Sequence, residues 1–442
     1  MKTRVLNAGV EFFDQQFRKP LQLSTGLITQ ITEARAHVTV CINGKEAVGR
    51  GSIYLSDLWA WPDPALSHPQ RDQALRGLCE NYARELPSLC GGEPEHPLEL
   101  GLRLHHNVAG YHEEKTRQPF PSNRDGPDPD IQKSNIPILA KAMCASPFDA
   151  AIHDGVGIAL GKSAFDFYSE EAPIPSADPC FPGKKACAAI QQTIRREPCS
   201  ELDAWWLISA KDDLGKDVLP WVRERGYRCF KLKILAKDNS ADAARTAEVF
   251  RVVKSWGIAC PRLTVDSNEG NPDAASVLDY LERLRAMEPA AFAALEYLEQ
   301  PTGRDITKYA YDWRPVTRLK PVLLDEGLTS PYLFNEAKAQ GWSGFALKTC
   351  KGHSFALLAA AWARENGMVT SLQDLTNPGF SGIHAALFAA YIPMINGIEL
   401  NSPQYTPSAN AEWLPRLNRL FEPRDGVHQL RETDAAGLGS LL

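Results

Sequence analysis

Three carboxylate side chains end short apolar runs in the second half of the chain. Asp266, Glu299 and Asp325 each close such a run. If the runs are parallel strands of a barrel, their carboxyl ends surround one mouth and these side chains lie close together. Clustered anions repel one another unless a cation lies among them, and hard oxygen ligands without Cys or His favour Mg²⁺ or Mn²⁺. One such carboxylate alone would more often cap a helix, but the three together predict a divalent-metal site.

Two lysines lie close together on another apolar run, and a third ends a later run. Lys231 and Lys233 point to the same side if residues 229–234 form a strand. A lone buried lysine can be a structural ion-pair partner, whereas two adjacent ammonium groups lower each other's pKa and bring one toward the range of a general base. Lys348 ends the run at residues 344–348. A carbon atom held between Lys233 and Lys348 would therefore have a proton acceptor on each face.

The runs that carry these side chains alternate with amphipathic helical patterns from about residue 202 onward. This alternation is typical of parallel strands joined by crossover helices. About eight strands, with roughly 25 to 35 residues between their starts, fit a TIM-type (β/α)-barrel better than an open sheet. The predicted strands are residues 204–209, 229–234, 263–266, 297–299, 322–325, 344–348, 369–373 and 397–400.

The first part of the chain has a different pattern. The dipeptide Asn43-Gly44 between extended stretches predicts a β-hairpin, and helical patterns follow near residues 72–86 and 138–160. Residues 90–130 and 163–200 show no clear element. We therefore expect an α/β protein with an N-terminal α+β domain (1–162), a linker (163–200), a catalytic barrel domain (201–410) and a C-terminal segment that packs back on the N-terminal domain (411–442).

Composition excludes several classes of protein. The 442 residues carry a formal net charge of −6, which leaves no basic face for nucleic acid. The longest apolar stretch, residues 385–395, is too short to span a bilayer, and the N-terminal residues lack the pattern of a signal peptide. The ten cysteines form no C-x-x-C pair, so neither a zinc site nor a disulfide framework is indicated. We expect a soluble, cytoplasmic protein with no nucleic-acid or membrane partner.

As a set, these residues resemble the muconate-lactonizing-enzyme branch of the enolase superfamily, in the mandelate racemase/muconate lactonizing enzyme family. The resemblance lies in Lys-x-Lys on the second strand, Asp, Glu and Asp on the third to fifth, and Lys on the sixth. It covers residues 202–404 well and the N-terminal domain loosely. It implies that the N-terminal domain caps the barrel and that the stretches 24–26 and 51–62 determine substrate specificity. Trp59 and Trp61 in the second stretch indicate an apolar or ring-bearing substrate moiety, unless they only pack.

The resemblance also implies roles for individual residues. Asp266, Glu299 and Asp325 would bind Mg²⁺, with Mn²⁺ possible, and Glu326 is an acceptable substitute for Asp325. Lys233 and Lys348 would be the acid/base pair. Lys231 would hold the substrate carboxylate and lower the pKa of Lys233. Further candidates for substrate contact or support are Asn268, Glu326, Gln373, Asp374 and Glu399.

The implied reaction is abstraction of the α-proton of a small carboxylate substrate through an enediolate, with racemization or epimerization as the outcome. Cycloisomerization or β-elimination, in which one lysine transfers the proton and the other stabilises charge, is the alternative. The sixth strand ends in Lys348 rather than Asp, which disfavours the mandelate-racemase branch, and Glu399 stands where dipeptide epimerases have Asp-x-Asp. A non-catalytic, metabolite-binding paralogue is the alternative of another class. The family leads us to expect a homo-oligomer.

Overall fold

The computed structural model describes residues 1–23, 26–110, 136–169, 172–373 and 377–442. No helix in these ranges is long and apolar enough to cross a membrane. The described chain forms an antiparallel sheet with helices packed on it, followed by a parallel sheet with its own helices.

The first three strands form the antiparallel sheet, in the order β1-β2-β3. They are β1 (Thr3–Leu23), β2 (Gly26–Ile42) and β3 (Lys45–Tyr54). The β2–β3 hairpin turns at Asn43 and Gly44, whose φ angles are 52° and 75°. Asn and Gly tolerate positive φ better than other residues, so this dipeptide suits a two-residue hairpin turn and the predicted hairpin is confirmed.

Helices pack on this sheet and lead to the second half of the chain. They are α1 (Asp57–Ala60), α2 (His68–Leu89), α3 (Pro97–Ala109) and α4 (Ile138–Leu160). Helix α4 approaches β3 so closely that a Cβ on Gly49 would lie 2.0 Å from the carbonyl oxygen of Ala151. Helices α2 and α4 confirm the two predicted helices. The sequence leaves residues 90–130 unassigned, but they contain α3, in which the side chain of His96 caps the first turn and Pro97 is the first helical residue.

Seven parallel strands, β5 to β11, form the second sheet and are hydrogen bonded in chain order. The strands of this half are β4 (Glu201–Asp203), β5 (Trp205–Ile208), β6 (Cys229–Lys233), β7 (Arg262–Asp266), β8 (Leu295–Glu299), β9 (Val322–Leu324), β10 (Gly344–Leu347), β11 (Val369–Leu372) and β12 (Val427–Gln429). Strand β12 pairs antiparallel with β4. The seven parallel strands lie where the sequence predicts the first seven strands of the barrel.

The segment after β11 and its helix links the two edges of the parallel sheet. Ile398 forms a parallel bridge with Ala204, beside β5, and Glu399 forms one with Gln373, beside β11. This is the position of the predicted eighth strand, 397–400. The sheet is therefore curled, and its edges meet at a segment that pairs through single bridges.

Helices connect the strands and cover the sheet. In this half they are α5 (Ala186–Thr193), α6 (Leu219–Arg225), α7 (Asn239–Ser255), α8 (Ala274–Met287), α9 (Pro289–Ala294), α10 (Arg314–Thr317), α11 (Phe334–Gln340), α12 (His353–Glu365), α13 (Gly379–Tyr391), α14 (Ser402–Tyr405) and α15 (Asn418–Phe421). Helix α5 lies in 163–200, so the absence of an element predicted there is wrong. Near the C-terminus, Leu438 N donates to Asp154 of α4 over 2.9 Å.

Candidate active site

The charged side chains predicted from the strand ends are all buried at one end of the parallel sheet. Asp266 and Glu299 are the last residues of β7 and β8, and Asp325 and Lys348 directly follow β9 and β10. All four are at most 4% exposed. The parallel arrangement brings them together because every strand ends at the same edge of the sheet.

Lys231, on β6, lies among three carboxylates. Its Nζ is 3.0 Å from Asp266 Oδ2, 2.7 Å from Glu299 Oε2 and 3.1 Å from Glu399 Oε2. It also donates a hydrogen bond to Gln373 Oε1. Burial opposes the charged form of Lys231, but Glu299, Glu399 and Asp266 raise its pKa well above the usual value. At Lys231 the three carboxylates outweigh both burial and the neighbouring ammonium groups, because they surround its Nζ.

Lys233 and Asp266 form a second buried pair at the end of β6 and β7. Lys233 Nζ donates to Asp266 Oδ2 over 2.5 Å and to Asn268 Oδ1 over 2.9 Å. Burial opposes the charge on Asp266, but Lys233 and Lys231 lower the pKa of this carboxyl to about 2. Asn268 is thus placed beside the predicted base, as expected for a supporting residue.

Two lysines from one turn hold the carboxylate of Asp325. Lys348 Nζ lies 2.9 Å from Oδ2, and Lys351 Nζ lies 3.0 Å from Oδ1. Burial would raise the pKa of Asp325, but these two ammonium groups lower it. In turn, burial disfavours the ammonium form of Lys348, while Asp325 and Glu299 raise its pKa.

Glu326 lies beside this group and contacts the N-terminal domain. Its Oε1 accepts hydrogen bonds from Trp59 Nε1 at 2.8 Å and from Asn268 Nδ2 at 3.1 Å. Burial, with the nearby charges of Asp325 and Asp266, raises the pKa of Glu326 to about 7. The Trp59 ring also lies over Lys348, with Nζ 5.1 Å from the ring centroid. Trp59 therefore joins α1 of the N-terminal domain to two charged residues of the site.

The donor set fits a hard divalent cation. Among the described residues, Glu299 Oε1, Asp325 Oδ2 and Glu326 Oε2 are buried and accept no hydrogen bond, although Lys348 forms an ion pair with Asp325. Buried carboxylate oxygens without donors are costly, and Mg²⁺ or Mn²⁺ would satisfy them. In the positions shown, no three of the described His, Cys, Asp and Glu residues are arranged so that they could hold a metal ion. Lys231 and Lys233 both contact Asp266 Oδ2, and Asn268 N donates to Asp266 Oδ1 at 2.8 Å, so both oxygens of Asp266 already have protein partners.

The remaining predicted residues fall into two groups. Gln373 Nε2 donates to the Tyr297 hydroxyl at 3.0 Å, and Glu399 Oε1 accepts from Asn401 Nδ2 at 2.7 Å. Both also contact Lys231, so the structure brings them into the site. Asp374 and the loop residues Ser24 and Thr25 lie outside the described residues.

The sequence did not single out two cations beside the site, Arg304 and Lys351. Arg304 pairs with Glu269, with Nη2 2.5 Å from Oε1, and donates to the Trp59 carbonyl at 3.2 Å. Lys351 follows Lys348 by three residues, but it lies beyond the strand and gives no strand-end signal. The sequence signal that could have identified Lys351 is its distance of three residues from Lys348, which places the two side chains on the same side of a helical turn.

A family model described as enolase C-terminal domain-like matches residues 213–440, just over half of the chain. No curated protein sequence matches.

Solved structures match over both halves of the chain. The structure of muconate lactonizing enzyme from Pseudomonas fluorescens complexed with muconolactone has a TM-score of 0.63 at 18% identity and covers 99% of this chain and 96% of that chain. N-succinyl Arg/Lys racemase from Bacillus cereus has a TM-score of 0.61 at 16% identity, with coverage of 99% and 95%. An enolase from Bradyrhizobium complexed with magnesium and mandelic acid has a TM-score of 0.62 at 16% identity, with coverage of 99% and 96%. At these identities the likeness shows a shared fold.

Proposed function

Because the chain belongs to the enolase C-terminal domain-like family, in the mandelate racemase/muconate lactonizing enzyme branch of the enolase superfamily, we propose that it abstracts the α-proton of a small carboxylate substrate. It is an enzyme of the isomerase or lyase kind. We propose racemization or epimerization as the outcome of this proton abstraction. The bridged edges of the parallel sheet support a closed barrel of about eight strands, in which the charged residues share one mouth.

The observation that carries this proposal is the placement of two lysines, from separated strands, at opposite sides of one cluster of carboxylates. Lys233 ends β6 and Lys348 follows β10, four positions away in the sheet. Lys233 contacts Asp266, and Lys348 contacts Asp325 and lies 3.6 Å from Glu299 Oε1. A substrate carbon held between them would meet an amine from each side, which is the requirement for proton removal on one face and return on the other.

The residues of this chain have distinct tasks in the reaction. Asp266, Glu299 and Asp325 would hold Mg²⁺, with Glu326 beside them. The ion would supply positive charge next to the substrate carboxylate as negative charge develops there. Lys231, which already contacts four polar groups, would orient the substrate carboxylate, and Trp59 would exclude water from Lys348.

One observation favours cycloisomerization or β-elimination as a second candidate. Lys348 is held as a cation by Asp325 and lies under the Trp59 ring, so it is suited to stabilise negative charge without moving a proton. In that reaction Lys233 alone would transfer the proton. The structural neighbours include both a muconate lactonizing enzyme and a racemase, so each candidate reaction has a counterpart among proteins of this fold.

Exchange of the substrate α-proton with solvent deuterium tests the proposal. We would follow exchange by NMR in D₂O with Mg²⁺, using a panel of carboxylic acids that includes N-acyl amino acids and lactones. The native enzyme is compared with Lys233→Ala, Lys348→Ala and the surface control Lys216→Ala, since Lys216 is 84% exposed.

The pattern of loss separates the reactions. For a two-base racemase, Lys233→Ala and Lys348→Ala each retain exchange with one enantiomer, and the enantiomer differs between them. If Lys348→Ala retains exchange with both, Lys348 is not a base and the second candidate is favoured. If the native protein binds Mg²⁺ and the acids but exchanges no proton, it is a binding paralogue.

A further inference from the structure

Beyond the residues assigned above, we infer that Lys351 is a positioning residue for the metal site, which it serves by fixing the carboxylate of Asp325 so that Oδ2 faces the ion. The inference rests on the proposed function, because it concerns the same metal. Lys351 would contact neither the substrate nor the ion, so it acts through Asp325 and takes no part in proton transfer.

The contacts of Lys351 define this role. Its Nζ donates to two atoms of one residue: the backbone carbonyl oxygen of Asp325 at 2.5 Å and the side-chain Oδ1 at 3.0 Å. A donor shared between the backbone and the side chain of the same residue fixes the side-chain torsion. On the other side of the backbone, Asp325 N donates to Gln300 Oε1 at 2.9 Å. Asp325 is therefore held at its amide, its carbonyl and one carboxylate oxygen, and Oδ2 is left to face the site.

A single turn divides the two oxygens of Asp325 between two lysines. Residues Thr349–Lys351 form a 3₁₀ turn in which Lys351 N donates to the Lys348 carbonyl at 3.1 Å. Lys348 reaches Oδ2, which accepts no hydrogen bond of good geometry, whereas Lys351 reaches Oδ1. An ion at Oδ2 would compete with Lys348 for that oxygen, whereas Lys351 could keep its contact with Oδ1. The two lysines therefore differ in role: Lys348 shares an oxygen with the proposed ion site, and Lys351 binds the oxygen on the other side of the carboxylate.

The N-terminal domain fixes the other side of this turn. Gly352 has φ of 104°, and a Cβ there would lie 2.1 Å from His105 Nε2. Asp149 of α4 accepts from Ser354 N at 2.9 Å and from Ser354 Oγ at 2.7 Å, at the start of α12. Lys351 lies between this anchor and Asp325. It has little freedom to move, as a positioning residue requires.

The sign of the effect on metal affinity separates positioning from a simple charge effect. Lys351 carries a positive charge next to a proposed ligand, so its removal should strengthen metal binding if charge alone matters. If it positions Asp325, removal frees the carboxylate to rotate and weakens metal binding. The two roles therefore predict opposite changes.

The test measures Mn²⁺ affinity by electron paramagnetic resonance of the free ion, without substrate. Native protein is compared with Lys351→Met and Lys351→Gln, where glutamine keeps one donor. Lys338→Met is the matched control, because Lys338 is an exposed lysine that donates to Asn366 Oδ1 at 2.9 Å. Thermal unfolding of each metal-free variant shows whether it folds. If Lys351→Met does not fold, the affinity of Lys351→Gln is used for the test.

We expect the Mn²⁺ dissociation constant to rise at least tenfold in Lys351→Met and less in Lys351→Gln, with no change in Lys338→Met. An unchanged or tighter affinity in folded Lys351 variants overturns the inference and leaves the proposed function standing. If the native protein binds no Mn²⁺, the proposed metal site and this inference fail together. A lower melting temperature with native affinity would mean that Lys351 has only a structural role.

Discussion

At the mouth of the parallel sheet, the charge state of each carboxyl group depends on how many ammonium groups reach it. Asp266 pairs with Lys231 and Lys233, which outweigh burial and bring its pKa to about 2. Glu326 accepts from neutral donors, Trp59 and Asn268, and burial brings its pKa to about 7. Neighbouring carboxyl groups thus differ in charge near neutral pH because their immediate partners differ.

The partners of Lys231 give the first prediction. Replacing Lys231 with Met leaves Asp266, Glu299 and Glu399 without a shared cation, so the free energy of unfolding of the metal-free protein should fall by about 3–5 kcal/mol. Added Mg²⁺ should restore part of the loss, because the ion can take the freed oxygens. Urea unfolding with and without Mg²⁺ measures both effects, with Lys216→Met as the exposed control. Equal stability of Lys231→Met and native protein would contradict the role of Lys231 as charge partner.

The second prediction concerns the indole of Trp59. In Trp59→Phe the ring over Lys348 remains but the donor to Glu326 is lost, which should cost about 2 kcal/mol of unfolding free energy at pH 8. The cost should shrink at pH 5, where Glu326 is protonated and can find a partner as a donor. Chemical unfolding at the two pH values measures this difference. Trp61→Phe, two residues along the same segment, is the control, and a pH-independent cost would show that packing alone is affected.

At the scale of elements, the turn between β10 and α12 connects the two halves of the molecule. It carries Lys348 and Lys351 toward Asp325, while the next residues meet Asp149. Burial opposes the charge on Asp149, but hydrogen bonds from His105 and His153 hold its pKa well below the usual value. A buried carboxylate that remains charged is a strong acceptor for the first turn of a helix.

The third prediction uses the two glycines at the ends of α12. Gly352→Ala puts a Cβ 2.1 Å from His105 Nε2 at a φ of 104°, so we expect a loss of about 3 kcal/mol in unfolding free energy. Because the same turn carries Lys348, proton exchange should also slow. Gly367→Ala is the matched control: its φ is also positive, at 66°, but no atom lies within 4 Å of the added Cβ, and the cost should be about 1 kcal/mol. Equal costs for the two variants would rule out the close contact as the cause.

For the whole molecule, stability in mild acid depends on buried histidines. His428, in β12, is fully buried and its Nδ1 lies 2.6 Å from the Leu420 carbonyl. Burial lowers the pKa of His428 to about 4, despite the opposing bond to Leu420. The unfolded chain binds this proton below about pH 6.5, whereas the folded chain binds it only below about pH 4. Stability is therefore lost as the pH falls through this window.

The fourth prediction follows from that difference. Between pH 7 and pH 5 the native protein should lose about 2 kcal/mol more unfolding free energy than His428→Gln, since only the native chain has this titrating group. All other buried groups are present in both proteins, so their contributions cancel. Urea unfolding at the two pH values gives the comparison. His37, an exposed histidine replaced in the same way, is the control. Parallel curves for His428→Gln and native protein would contradict the assignment.

Much of the fold and of the candidate site follows from local patterns. A parallel strand must present an apolar run, so β5 to β11 could be located from the sequence, and the hairpin at Asn43-Gly44 follows from the backbone freedom of those two residues. Helix α3 was missed because its cap uses His96 and Pro97, which read as irregular sequence. The domain boundaries and the roles of the site residues remain predictions.

The sequence alone determined which chemical groups stand at the strand ends, because position in a strand fixes the edge at which a side chain emerges. Only the tertiary structure decided which groups meet. It surrounds Lys231 with three carboxylates, and it brings Lys351 to Asp325 and Trp59 to Glu326. These contacts join residues far apart in the chain, and their energies depend on burial and distance. Neither quantity is encoded in local periodicity, so the charge state of the site could not be derived until the chain was folded.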